Sequence, residues 1–251
     1  METRGYQFAF SSRDGVVQDA PARERKARTM LAVLGDRFGD RLQGMRLLDL
    51  GSSTGIIGSL LADRVAEVVG LDIDAPAIER AQRHLAKDNL RFRVGDAMSL
   101  DAGDGAFDIV VCAHVYEHVP DAATMMNEIY RVLKPGGVCY FAAANRLMWM
   151  EPHYQLPLLS VLPRRLAHLY IRAAGKAEHY HELHLGYWGL KRLVRRFRVH
   201  DYTRLIVAEP DRFHAEYMLT PGSVKTRIAR FVARHVYWLM PTYIWLLEKP
   251  A

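Results

Sequence analysis

Two stretches near the start of the chain decide the fold: LLDLGSSTG at residues 47–55 and VVGLDID at residues 68–74. In the first, an apolar run is followed by Gly51 and Gly55, and a segment with helical spacing comes next. The second is another apolar run, which reaches Asp72. This order predicts a strand, a glycine-rich turn, a helix and a second strand; the turn lets a ligand approach the backbone, and Asp72 can bind a ribose diol. The unit therefore predicts a pocket for an adenosine-containing cofactor.

The glycine turn differs from the dinucleotide-binding fingerprint G-x-G-x-x-G, in which a helix N-terminus faces a pyrophosphate. Here the turn begins with Asp49 and reads DLGSSTG. The carboxylate of Asp49 would repel a pyrophosphate but help to attract a cationic ligand. The turn therefore disfavours a nicotinamide-dependent oxidoreductase.

Five segments, in order, resemble the motifs of class I S-adenosylmethionine (SAM) methyltransferases, in particular the small-molecule "type 11" branch. The turn resembles motif I, D-x-G-x-G-x-G, with Ser53 in place of the second glycine, and Asp72 matches the ribose-binding acid of the next motif. VGDAMSL at 94–100 resembles the segment that flanks the adenine. FDIVVCAHVYEHVPD at 107–121 resembles motif IV, and RVLKPGGVCYFAAAN at 131–145 resembles the helix, turn and fifth strand that follow.

The resemblance implies SAM as the cofactor and an α/β fold: a doubly wound, Rossmann-like, mostly parallel seven-stranded sheet with an antiparallel last strand and a C-terminal helical or loop cap insertion. Ser53 is expected to fit its position if its backbone angles are ordinary. The expected cofactor-binding residues are Asp49, Gly51, Ser52, Ser53, Thr54, Gly55, Asp72, Ile73, Asp96, Ala97 and Ala113.

The composition is that of one domain with a full core, since half of the 251 residues are apolar. Cys112 and Cys139 fall in predicted strands four and five, which indicates buried free thiols in a reducing compartment. The N-terminus has no long apolar region, and no stretch approaches the roughly 20 apolar residues that span a bilayer. We therefore expect a cytoplasmic protein.

Charge is distributed unevenly along the chain. Residues 1–145 contain 17 Lys and Arg against 20 Asp and Glu, a net charge of −3, whereas residues 146–251 contain 17 against 8, a net charge of +9. The second part also contains eight of the eleven histidines and all four tryptophans. This asymmetry indicates an acidic partner, such as a phosphorylated substrate or an anionic lipid surface, while KRLVRRFR at 191–198 matches no nucleic-acid module.

Three regions of a single domain follow from the pattern. Residues 1–145 should form an N-terminal helix and the SAM-binding core, residues 146–196 an acceptor-binding cap insertion, and residues 197–251 the last strands with an inserted basic amphipathic helix. Tyr6 and Phe8 could belong to a lid over the cofactor or to a disordered tail.

Strands are predicted near 46–51, 67–73, 90–95, 107–112, 137–143, 197–206 and 241–249, and helices near 21–38, 55–63, 75–87, 121–133, 164–174, 187–197 and 222–240.

The helix predicted at 222–240 has two interpretations. Its apolar residues, among them Val224, Ile228 and Phe231, could cover the sheet and leave the arginines in solvent. Alternatively, the helix could lie on a membrane as a peripheral contact, with its arginines on anionic head groups.

Candidate catalytic residues lie where strands four and five end, because ligands bind at the carboxyl ends of strands in open α/β sheets. We expect His114 to be the first choice for a base, with His118 and His153 as further candidates. Glu117, Tyr154 and His181 are expected on the substrate side. The spacing H-x-H-E-x-H in 179–184 matches no metal-ligand pattern, so no metal site is predicted.

These observations predict a SAM-dependent methyltransferase that acts on a small-molecule or lipid-linked acceptor, most simply by O-methylation of a glycan- or lipid-pathway metabolite. One alternative is C-methylation of a hydrophobic, quinone-like ring. The non-enzyme alternative is a SAM-binding or membrane-associated regulatory module. The oligomeric state is left open by the sequence.

Overall fold

The computed structural model describes residues 19–251, and the two alternatives for Tyr6 and Phe8, a lid or a disordered tail, concern residues outside this range. Seven strands form one sheet in the order β3-β2-β1-β4-β5-β9-β8. Neighbours pair in parallel except β9, which is antiparallel to both β5 and β8. The predicted fold is confirmed. The strands are β1 (Arg46–Leu50), β2 (Glu67–Asp72), β3 (Leu90–Val94), β4 (Phe107–Ala113), β5 (Leu133–Ala144), β8 (Arg198–Asp201) and β9 (Thr242–Glu248); β6 (Met150–Glu151) and β7 (Leu156–Pro157) form a separate pair.

Helices cover both faces of this sheet, and the apolar core is divided accordingly. One core cluster contains residues of α1, α2, α3 and α7, and the other contains residues of α4, α6, α7 and α8. Aspartate side chains cap the N-termini of α1, α3, α4 and α7, and a serine caps that of α8, so the first backbone N–H groups are satisfied. The helices are α1 (Ala20–Phe38), α2 (Ile56–Ala62), α3 (Ala75–His84), α4 (Ala122–Val132), α5 (Arg164–Ala173), α6 (Tyr187–Leu193), α7 (Tyr202–Ala208) and α8 (Val224–His235).

Three boundaries in the basic half differ from the sequence predictions. The strand predicted over 197–206 is wrong, because β8 ends at Asp201 and α7 begins there. The carboxylate of Asp201 accepts hydrogen bonds from the backbone N–H groups of Thr203 and Arg204, so it starts a helix in an apolar run that resembled a strand. The other two helices are shorter than predicted: α6 ends at Leu193, and α8 ends at His235.

The segment between β5 and α6 folds over the edge of the sheet with a small core of its own. The β6–β7 pair and α5 surround Leu159 and Tyr180, which are buried there. Arg146 anchors this segment, because its backbone N–H donates to Leu185 O and its guanidinium donates to Ser160 O and Val161 O. The loop between β6 and β7 is thereby held in one place, although its assignment to acceptor binding stays a prediction.

Within residues 19–251, every helix is too short or too polar to cross a bilayer.

Candidate active site

The glycine turn after β1 is held against the end of β2. The N–H groups of Gly51 and Ser52 both donate to Leu71 O, at 2.8 and 3.1 Å. Gly51 has φ of +77°, and a Cβ atom there would lie 2.6 Å from a methyl group of Val115. Gly51 is therefore required by both conformation and space.

Gly55, by contrast, serves packing. It has φ of +79° at the start of α2, and a Cβ atom would lie 2.5 Å from the ring of Phe92. Gly55 and Thr54 do not line the cavity that Gly51 and Ser52 border, although both were predicted to bind the cofactor. The place of Gly55 in the motif is explained by the close approach of the start of α2 to Phe92 of β3.

Asp72 stabilises the glycine turn through hydrogen bonds and also lines the cavity beside it. Its carboxylate accepts hydrogen bonds from the N–H groups of Ser53 (2.7 Å) and Asp74 (2.9 Å). Burial raises the pKa of Asp72, and these backbone hydrogen bonds lower it in part. Ser53 has φ of +50°, so the ordinary backbone angles on which its fit was made conditional are not found. The serine takes the left-handed conformation that suits the glycine of the motif.

Asp49 is buried at the end of β1. Its Oδ2 atom has no hydrogen-bond partner within residues 19–251, and a Cβ atom at Gly58 would lie only 3.0 Å from it. Burial raises the pKa of Asp49 to about 7, against the lowering effect of Arg23. A buried carboxylate that lacks a full set of partners suits a cationic ligand, because such a ligand would stabilise its ionised form.

A single cavity of about 280 Å³ brings most of the predicted cofactor residues together. The sequence interpretation did not assign to it the α1 residues Arg23 and Lys26, nor Tyr217, which also line it. The charges on α1 gave a weak signal, but only the fold shows which face of that helix points inward. The predicted cofactor residues on its wall are Asp49, Gly51, Ser52, Ser53, Asp72, Ile73, Asp96, Ala97 and Ala113.

These features fit SAM. Gly51 leaves room for close approach, Asp72 presents a carboxylate at the end of β2, and Asp49 offers an unsatisfied acid for a cation. When bound, SAM supplies an electrophilic methyl group on a sulfonium with a good leaving group.

The three predicted catalytic histidines line the same cavity. His114 follows β4 with φ of +58°, its N–H donates to Ala142 O (2.9 Å), and its Nδ1 atom lies 3.4 Å from Oε1 of Glu117. The rings of His118 and His153 meet edge to face with 4.9 Å between their centroids. His118 and His153, 35 positions apart in the sequence, are thus adjacent at the end of the cavity beyond β4 and β5.

Glu151 determines the state of His153. The Nδ1–H group of His153 donates to Oε1 of Glu151 (2.7 Å), and the Tyr154 N–H donates to Oε2 (2.9 Å). Burial lowers the pKa of His153, but the hydrogen bond and charge of Glu151, together with the charges of Glu182 and Glu117, raise it to about 9. Glu151 was missed by the sequence interpretation; its position two residues before His153 in the EPHY run was the available signal.

His118 has the opposite environment. Burial lowers its pKa to about 4, with further lowering by the neighbouring His153, His184 and His114, and the charge of Glu117 only partly opposes this. His118 is therefore neutral at pH 7, whereas His153 is protonated. Of two adjacent histidines, one neutral and one cationic, the neutral ring can accept a proton and the cationic ring can stabilise an anion.

The residues predicted on the substrate side, Glu117, Tyr154 and His181, are not among those that line this cavity. Glu117 is buried, and its Oε2 atom has no hydrogen-bond partner in the described part of the chain. Burial raises the pKa of Glu117, but the hydrogen bond from His114 and the charges of His114, His118 and His184 lower it to about 2.

Across residues 19–251, no group of three or more His, Cys, Asp or Glu side chains is arranged to hold a metal ion.

Comparison with known proteins supports the cofactor assignment made for the first half of the chain. Residues 48–141 match the family described as "Methyltransferase domain", type 11. The ubiquinone biosynthesis O-methyltransferase of Psychrobacter arcticus is 36% identical over 42% of this chain and 43% of its own length. The demethylmenaquinone methyltransferase of Lactococcus lactis is 36% identical over 51% of this chain and 53% of its own length. The chain thus spans about half the length of the curated relatives that it matches.

A solved structure matches nearly the whole chain. It belongs to the complex between the Haloferax volcanii Trm112 methyltransferase activator and a methyltransferase, and the match covers 99% of this chain and 98% of that one. The TM-score is 0.60 at 20% identity, so this similarity concerns the fold. The match over residues 48–141 shows that this protein contains a methyltransferase domain, and its fold is that of the class I, SAM-dependent family.

Proposed function

We propose that the protein transfers the methyl group of SAM to a hydroxyl oxygen of a small molecule that carries a hydroxylated ring. The observation that carries this proposal is the pair His118 and His153 on the wall of the cavity that contains the cofactor residues. At neutral pH His118 is neutral because burial lowers its pKa, and His153 is protonated because the hydrogen bond and charge of Glu151 raise its pKa against the effect of burial.

The division of charge suggests a role for each histidine. His118 accepts the proton of the acceptor hydroxyl as its oxygen attacks the methyl carbon. The O–C bond forms while the S–C bond breaks, and S-adenosylhomocysteine leaves with both electrons of that bond. His153, as a cation, stabilises the negative charge that develops on the acceptor oxygen. Much of the remaining rate comes from holding the two reactants in line.

We assign the base role to His118 rather than to His114. His114 is partly exposed, and its Nδ1 atom faces the ionised Glu117, so this ring is better placed to position the loop after β4. His118 is more enclosed, which favours the neutral imidazole that a base requires. The assignment predicts a larger loss of rate for His118→Asn than for His114→Asn.

The acceptor class is inferred from the relatives. Their names concern ubiquinone and menaquinone synthesis, and a ring hydroxyl suits the neutral base beside a cation. The glycan- or lipid-linked acceptor predicted from the sequence has no such support. The name of the Lactococcus relative favours a second candidate, methylation on the quinone ring itself, which would use the same base to remove a ring proton.

We place this reaction in the cytoplasm. Cys112 and Cys139 are buried free thiols on the neighbouring strands β4 and β5, which suits a reducing compartment.

Turnover with ring hydroxyls tests the proposal. The purified protein is incubated with methyl-labelled SAM and a panel of catechols and hydroxyquinones, and the products are analysed by mass spectrometry and NMR. We expect O-methyl ethers, with kcat lowered at least about 100-fold in His118→Asn and SAM binding unchanged. His179→Asn, an exposed histidine of the same half, is the matched control. Ring-methylated products would favour the second candidate, and equal rates for His118→Asn and His179→Asn would remove the base assignment.

A further inference from the structure

Within residues 19–251, helix α8 leaves a large apolar stripe exposed. It packs on the protein through Thr226 and Ala233, which are buried, while Val224 is 61%, Ile228 58% and Phe231 62% exposed. Spacings of four and three residues place these three side chains on one stripe, opposite Ala233. The interpretation in which these residues cover the sheet is therefore wrong.

The end of the helix extends this apolar surface. A 3₁₀ turn at residues 237–239 follows directly and exposes parts of Trp238 and Leu239. The ring of Trp238 contacts that of Trp188, with 5.7 Å between centroids, and Trp188 is itself exposed. Single exposed apolar residues are ordinary, but a group of this kind marks an interaction surface.

Cations flank the stripe on both sides. Lys225 lies on one side, and Arg227 and Arg234 lie on the other; all three are exposed. Arg230 is turned back toward the protein, where it donates to Val207 O and Ala208 O. The helix, VKTRIARFVARH, contains no acidic residue, and residues 146–251 carry a net charge of +9.

We infer that the exposed face of α8 docks on an anionic lipid surface. An apolar stripe between basic flanks is the pattern of helices that lie in a membrane interface, where apolar side chains enter the acyl boundary and cations meet phosphate groups. The absence of acidic residues on α8 favours a phosphate-rich surface over a protein partner of mixed charge. This inference does not depend on the proposed reaction.

Vesicle sedimentation with the full chain tests it. Vesicles of phosphatidylcholine alone are compared with vesicles that contain about 30 to 50% phosphatidylglycerol, whose head groups give an anionic surface. We expect the wild type to bind the anionic vesicles and to be released by about 0.5 M salt, because salt screens the phosphates. Arg227→Gln and Arg234→Gln should each lower the partition coefficient on anionic vesicles about fivefold.

The chain offers a closely matched control for the stripe. Ile228→Glu with Phe231→Glu should lower anionic-vesicle binding at least about tenfold, because both side chains enter the interface. Leu166→Glu with Leu169→Glu makes the same change at a second exposed pair, also three residues apart on the basic helix α5, where the two are 51% and 56% exposed. This second variant should bind nearly as the wild type does.

Four outcomes would overturn the inference. They are absence of binding by the wild type, equal binding to neutral and anionic vesicles, equal losses in the two double variants, and a stripe variant that changes only the oligomeric state. Circular dichroism checks that both double variants fold; all four replaced side chains are exposed, so we expect melting temperatures close to that of the wild type.

Discussion

Replacing Glu151 with Gln should convert His153 from a cation into a neutral histidine at pH 7. The buried carboxylate of Glu151 lies 2.7 Å from Nδ1 of His153, and burial without this partner would lower the pKa of the imidazole. The rise from the ordinary 6.5 to about 9 corresponds to a preference of about 3 kcal/mol for the protonated form. In Glu151→Gln most of this preference is lost, so the pKa of His153 should fall to 6.5 or below.

The same change alters the pH dependence of stability. A histidine whose pKa is raised on folding stabilises the protein fully below its unfolded pKa of 6.5, and this stabilisation is lost as the pH rises through about 9. Wild type should therefore lose about 3 kcal/mol of unfolding free energy from this group between pH 6 and pH 10. Glu151→Gln should show no such loss from His153, although it starts less stable because an amide replaces a carboxylate that accepts two hydrogen bonds.

NMR titration of the histidine side chains measures the effect without any acceptor. The resonance of His153 is assigned by its disappearance in His153→Gln, and its midpoint is compared in wild type, Glu151→Gln and Glu178→Gln. Glu178 is exposed in the same segment, so its variant removes the same charge without touching His153. A midpoint near 6.5 in wild type, or one that stays near 9 in Glu151→Gln, would show that Glu151 does not raise the pKa of His153.

Four further predictions concern the cofactor half and turnover. Asp72→Ala should weaken SAM binding by about 1.5–3 kcal/mol in calorimetry, because charge-assisted hydrogen bonds are lost; unchanged binding would remove the ribose assignment. SAM affinity should fall as the pH drops below about 7, where Asp49 becomes protonated, and this dependence should be absent in Asp49→Asn; the same pH dependence in both proteins would contradict it. Ser53→Gly should raise the free energy of unfolding by up to about 1 kcal/mol in urea, since glycine relieves a left-handed backbone; a loss of stability would show that φ at Ser53 carries no strain. Turnover should follow a bell-shaped pH profile with limbs near 4 and 9 from His118 and His153; a limb near 6.5 would indicate a different base.

The cofactor half of the fold was predictable because local pattern and topology coincide there. Apolar runs, glycines and acids recur in the order that a parallel sheet with crossover helices requires, and α3 and α4 begin at their own capping residues, Asp74 and Asp121. The contacts that make Asp72 a brace for the turn involve residues 19 positions apart. They follow from the fold and not from the motif alone.

The second half was less predictable for identifiable reasons. Asp201 starts a helix within an apolar run, which a strand pattern also fits. The apolar residues of α8 satisfy helical spacing, but spacing does not tell which face is covered, and here the small residues Thr226 and Ala233 face the protein. The partnership of Glu151 with His153 depends on the short β6–β7 pair, which has too few residues to leave a pattern.

The proposed transfer of the SAM methyl group to a small-molecule hydroxyl is tested most directly by following a labelled methyl group. The protein is incubated with methyl-labelled SAM and a lysate of the source organism, and the label is divided among organic-extractable small molecules, aqueous small molecules and macromolecules. We predict label in an organic-extractable molecule with a new methoxy group, reduced at least about 100-fold in His118→Asn. SAM binding with no transfer, or label confined to protein or nucleic acid, would contradict the account.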